Sequence, residues 1–140
     1  MMEIVRYLQD NYYSRYMKKN PEIIPSDGIL LRALELHPEK VIVMRSNFII
    51  DGVAIYLQLD DFTYDHIEHF DMKDASVLRE LLGQKGNNIH FILVAGSGVA
   101  NILKGIRRIK QLNPRSISWW NPNHTHLHKR ILEKESVCHL

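Results

Sequence analysis

A single cysteine, Cys138, stands in the 140 residues. No internal disulfide can form, and its place beside the C-terminus argues against a thiol mechanism. No apolar run approaches the roughly 20 residues that cross a bilayer. Met1 to Arg6 also lacks the basic and then apolar order of a signal peptide, so the expected location is the cytoplasm. Low-complexity segments and internal repeats are missing as well. Neither sign of charge dominates, with 18 Lys and Arg against 16 Asp and Glu and a formal net charge of +2. What is present suffices for a core: 45% of residues are hydrophobic and 24% charged, and no change of composition divides the chain. One domain over residues 1–140 is expected.

The most informative stretch runs from Asn88 to Lys129. Ile89 to Val94 is an almost uninterrupted apolar run of the kind found in strands buried on both faces. Gly96-Ser97-Gly98 ends it. From there Val99, Ile102, Leu103, Ile106, Ile109 and Leu112 fall on one helical face, with Lys104, Arg107, Arg108 and Lys110 elsewhere. Asn113-Pro114 stops that helix, and a second strand follows at Ser116 to Trp120. The polar segment Asn121 to His128 comes just past its carboxyl end, where open α/β sheets place ligands. This is a βαβ unit suited to an anion, because glycines let backbone amides approach a phosphate at a helix N-terminus, where the aligned peptide dipoles favour negative charge. A tight strand-to-helix turn would use the same glycines. No Lys-Ser/Thr pair and no third glycine follow, which argues against kinase and dehydrogenase chemistry.

Gly96-Ser97-Gly98-Val99-Ala100-Asn101-Ile102-Leu103 resembles the pyrophosphate loop and helix of the Gcn5-related N-acetyltransferase (GNAT) superfamily. The resemblance implies an α/β fold with a mixed central sheet flanked by helices. It also implies acetyl-CoA or another acyl thioester as donor, with the amides of Gly96, Ser97, Gly98, Val99, Ala100 and Asn101 on the pyrophosphate. Asn121 or Asn123 would contact the pantetheine arm, and His124, His126 or His128 would stand in for the family's tyrosine acid. A second resemblance, over Ile89-His90-Phe91-Ile92, the glycines, the basic helix and Arg115 to Pro122, is to the lysine acyltransferases that activate RTX toxins. Those enzymes draw their acyl group from acyl carrier protein.

The rest of the chain supplies partners for the βαβ unit. Val5, Leu8, Tyr12 and Tyr16 mark one face of a helix over Glu3 to Lys18. Ser26 or Asp27 can cap a second helix from Gly28 to about Leu36. Val41 to Ile50 and Val53 to Leu59 read as strands joined by Asp51-Gly52, a dipeptide that favours a type I′ turn. Asp74 caps a short helix through Leu82, with Gly83 as its C′ residue, and a last strand is expected within Thr125 to Ile131.

His124, His126 and His128 alternate, so on a strand they share a face. Cysteine or carboxylate partners for zinc are not near them, and no metal is expected. Asp60, Asp61, Asp65 and Glu68 with His66 and His69 read as a polar loop, with a general base as the sharper alternative. Trp119 and Trp120 point to opposite faces of their strand. The function expected is an acyl-CoA-dependent N-acyltransferase, with His124 or His126 in proton transfer and a small-molecule or protein amine as acceptor. A homodimer is compatible with this reading, a membrane is not a partner, and nucleic acid is a minority one. The alternative is a non-catalytic module of the same fold that recognises protein or nucleic acid through its basic helix.

Overall fold

A computed structural model describes residues 2–11, 27–96, 107–120 and 126–132. Its centre is a five-stranded sheet in the order β1 (Val41–Ser46), β2 (Ile49–Leu59), β3 (Asn88–Gly96), β4 (Ser116–Trp120), β5 (Leu127–Ile131). All neighbours run antiparallel except β3 and β4, which are parallel. A parallel pair needs a crossover, and residues 107–110 of the connection are helical. The βαβ order and the bounds of β4 are as the sequence implies.

Alternation along β2 sorts the core onto two faces. Val53, Ile55, Leu57 and Leu59 join Leu30, Leu34, Leu78 and Leu82 under α2 (Asp27–Leu36) and α4 (Ala75–Leu82). Ala54 and Tyr56 join Ile42, Ile89, Phe91 and Ile117 on the opposite face, where Ile109 packs. Helices therefore cover both faces. α1 (Met2–Leu8) lies on the first face through Leu8, and residues 9–11 continue as a wider π turn. The remainder of the helix expected to Lys18, like Ser26, lies outside the described residues.

The β1–β2 hairpin turns at Asn47-Phe48 rather than at Asp51-Gly52. Both turn residues have left-handed backbone, with φ of 51° and 71°, which is what a two-residue type I′ turn demands. Asp51 is instead an extra residue in β2, since Met44 pairs with Gly52 and Arg45 with Ile50. The Tyr7 hydroxyl from α1 donates to the Asp51 carbonyl at 3.0 Å, which satisfies a group that the bulge takes out of the ladder. Gly52 is needed for space: a Cβ there would lie 2.6 Å from Met44 Cε and 3.1 Å from the Ala95 carbonyl oxygen.

Asp74 caps α4 as expected, accepting from the amides of Ser76 and Val77. Gly83 closes it in right-handed backbone at φ −78°, ψ −13°, so the expected left-handed C′ glycine is not formed. The acidic segment is not a loop. Asp60 accepts from the Thr63 amide at 2.7 Å and starts α3 (Asp61–Asp65), followed by a 3₁₀ turn at Ile67–His69. Asn113, at φ 53°, ends the crossover helix in left-handed backbone before Pro114. Asparagine tolerates that conformation better than most residues.

Candidate functional site

β3 and β4 pair over only four rungs, from Asn88↔Ser116 to Phe91↔Trp119. β3 then continues to Gly96 alongside β2, while β4 stays paired with β5 up to Trp120↔Leu127. Past the Phe91 rung the two parallel strands part. A bulge accompanies the separation: Ile55 pairs with Leu93 and Tyr56 with Phe91, leaving Ile92 as the extra residue of β3. Bulges bend a strand and break its pairing. Backbone groups of 92–96 on the β4 side are left without a strand partner among the described residues.

On the face that carries Ile109, the separated part of β3 bears little side-chain bulk. Gly96 is exposed and paired with Gly52, and Val94 is exposed beside Ala54. Gly96, the first glycine of the expected phosphate loop, ends β3 at this mouth. Ser97, Gly98, Val99, Ala100, Asn101, Asn121 and His124 lie outside the described residues. His126 is described: it stands exposed before β5, with its ring centroid 4.5 Å from that of His128. His128 stacks on Trp119 at 5.3 Å and 17°. The two histidines share a face, as their alternation implies, and it is the face of Ile117 and Trp119.

The other face of the parting strands is polar. Ser116 donates to Asn88 Oδ1 at 3.1 Å. Asn88 Nδ2 in turn donates to the Leu59 carbonyl at 3.2 Å and to Asp61 at 2.8 Å. Arg115 closes this end with an ion pair to Asp61 at 3.1 Å. One polar rung nearer the mouth, His90 Nδ1 lies 2.8 Å from Ser118 Oγ. His90 is 1% exposed and Ser118 0%. Tyr64 of α3 is buried on this side, and the Lys129 ammonium sits 5.1 Å from its ring centroid. Sequence reasoning missed His90, Ser118 and Tyr64. The signal was the alternation of Asn88 and His90 with Ile89 and Phe91, repeated as Ser116 and Ser118 against Ile117 and Trp119.

Among the described residues, no three His, Cys, Asp or Glu side chains come together as a metal group, and no helix is long and apolar enough to cross a membrane.

No protein-family model matches the chain, and a search of curated proteins returned no match. Solved structures do match. One is a complex titled "GphF GNAT-like decarboxylase in complex with isobutyryl-CoA", with a TM-score of 0.53 at 11% identity. The match covers 84% of this chain and 58% of the other, so the present chain spans little more than half of that protein's length. At this identity the likeness shows the fold: the chain has a GNAT-like fold, a mixed sheet flanked by helices.

Proposed function

We propose that the chain binds an acyl thioester of coenzyme A between β3 and β4 and transfers its acyl group to an amine. The observation that carries this reading is the separation of two parallel strands just past Phe91↔Trp119. A pantetheine arm has two amides, and on its β4 side the backbone of 92–96 offers donors and acceptors that have no strand partner among the described residues. The mouth fits the same ligand, since Gly96, exposed at the end of β3, places no side chain there. A neighbour of the same fold is a complex with isobutyryl-CoA. In this reading the amides from Gly96 to Asn101 hold the pyrophosphate and Asn121 meets the arm. Rate comes from holding the thioester carbonyl against the amine and polarising it with backbone amides.

Calorimetric titration with acetyl-CoA tests it. Saturable binding is expected, weakened at least about tenfold, or 1.4 kcal/mol, by Gly96→Asp. Among the described residues, a Cβ at Gly96 meets the Asp51 carbonyl oxygen at 3.6 Å and Gly52 Cα at 3.7 Å. Those are ordinary contacts, so the variant should fold and the loss would report a carboxylate set against phosphates. A protein that binds neither acetyl-CoA nor free coenzyme A would leave the non-catalytic module as the better reading.

A further inference from the structure

The two edges of the sheet are built differently. β5, the edge beside β4, carries His128, Lys129 and Arg130 within its five residues. Charge of that kind discourages an edge strand from pairing with another chain. β1, the opposite edge, runs Val41-Ile42-Val43-Met44 with no charge before Arg45. Its backbone also has an open side. The Val41 amide donates to the Pro38 carbonyl rather than to β2, and the two-residue turn makes Ser46 and Ile49 a hydrogen-bonded pair. Alternation then gives the β2 side to Ile42, Met44 and Ser46 and turns Val43 and Arg45 outward. Among the described residues, no group bonds to the outward N–H and C=O of either residue.

We propose that β1 pairs antiparallel with β1 of a second copy of this chain, across a two-fold axis at Val43, joining two five-stranded sheets into one. A two-fold interface uses the same patch on both copies, and an antiparallel strand pair meets that condition. Centring on Val43 keeps the most rungs: Val43 meets Val43, Ile42 meets Met44, and Val41 meets Arg45. The two Val43 residues exchange both of their hydrogen bonds. Charge selects the partner. Glu39 lies just before β1 and Arg45 near its far end, with side chains 61% and 45% exposed. Antiparallel pairing sets the acidic end of each copy toward the basic end of the other, whereas a parallel pair would set like on like. Arg45 already holds Glu3 at 3.0 Å, so Glu3 and Glu39 share each guanidinium. β5 suits neither role, because pairing with itself would bring its cations together and pairing with β1 would not close. Six residues a side make a small seam against the roughly 1,200–2,000 Å² of a standard interface, so the dimer dissociates on dilution. β2 separates β1 from β3, which leaves the parted strands of each copy open and the inference independent of the acyl-transfer reading.

Sedimentation velocity of the full chain, from about 1 to 500 μM, should show the mass rising from 16.4 kDa toward twice that value. Val43→Pro removes the outward amide at a place where edge strands tolerate proline. It should raise the dissociation constant of the dimer at least about tenfold. Glu39→Arg should weaken the dimer as well, and Glu39→Arg with Arg45→Glu should restore it, which a local folding defect would not do. In hydrogen exchange the Val43 amide should be protected at high concentration and lose that protection on dilution. A chain that stays monomeric throughout the series overturns the inference. So does a dimer that Val43→Pro leaves intact, or one in which Val43 exchange is independent of concentration. Should Val43→Pro not fold, the charge swap and the Val43 amide decide, a double variant no tighter than Glu39→Arg counting against the proposal.

Discussion

Lys40 is 2% exposed, yet its partners are neutral: the ammonium donates to Gln58 Oε1 and, at 3.2 Å, to the Gln84 carbonyl. Burial is the main cause that lowers its pKa from 10.5; Glu39 pulls it back up and Lys85 pushes it further down. The sign for stability follows from proton counting. As pH rises from the lowered value toward 10.5, the folded chain has released this proton while the unfolded chain still holds it. Stability therefore rises with pH across that window. Tyr56, beneath the ammonium at 5.8 Å, works the other way. Burial raises its pKa above 10.0, so its contribution is lost as pH climbs past that value. Urea unfolding midpoints measured as pH approaches 10.5 from below should climb for the wild type relative to Lys40→Met. Parallel pH curves for the two proteins would rule out the burial cost assigned to Lys40.

The β1–β2 hairpin contains both a strong turn dipeptide and a poor one, and the poor one makes the turn. Asp51-Gly52 has the better local chemistry, but a turn there would waste the pairing that sets Ile42 and Met44 opposite Ala54 and Gly52 on one face. Packing across the sheet outweighs a local preference worth about 1 kcal/mol. The cost falls on Phe48, held at φ 71° while 94% exposed. Left-handed backbone costs a residue with a Cβ roughly 1–2 kcal/mol, and glycine's extra freedom in the unfolded chain costs about 0.5–1 kcal/mol. Phe48→Gly should therefore stabilise by up to about 1 kcal/mol, read as a higher urea midpoint with unchanged slope. A lower midpoint would mean that the phenyl ring packs on something. Elements whose signals are local were legible in the sequence: the Asp74 cap, the Asn113-Pro114 stop, β4 to the residue, and the last turn of the crossover helix at 107–110, its earlier part lying outside the described residues. The candidate site was legible only in part. The apolar content of Ile89 to Val94 suggested a strand buried in oil on both faces, whereas His90 is buried against Ser118, a residue 28 positions away. Pairing over that distance decides whether an alternating polar residue faces water or an enclosed polar seam, and no window of one strand contains it.

Charge is distributed unevenly along the chain. Between Glu80 and Glu133 there are eight Lys and Arg and no Asp or Glu, whereas residues 1–80 hold nine against fourteen. The acid-free stretch is the one that supplies β3, β4 and β5, so the modest net charge of +2 conceals an uneven distribution along the chain. Arg107 and Arg108 are exposed on the crossover helix, and neither has an ion pair among the described residues. Exposed charges of this kind do little for stability. Their summed field acts at longer range, drawing an anionic ligand toward the mouth and raising its association rate. A coenzyme A thioester carries several phosphate charges, so the effect should be strongest at low salt and shrink as the screening length falls to about 8 Å at physiological ionic strength. Arg107→Glu with Arg108→Glu should lower the acetyl-CoA association rate about tenfold or more at low salt and flatten its dependence on ionic strength. The dissociation rate should change little, because neither side chain is assigned to the parted strands. Stopped-flow association measured across a salt series would separate the two effects. Equal salt slopes in wild type and variant would mean that Arg107 and Arg108 play no part in gathering this ligand.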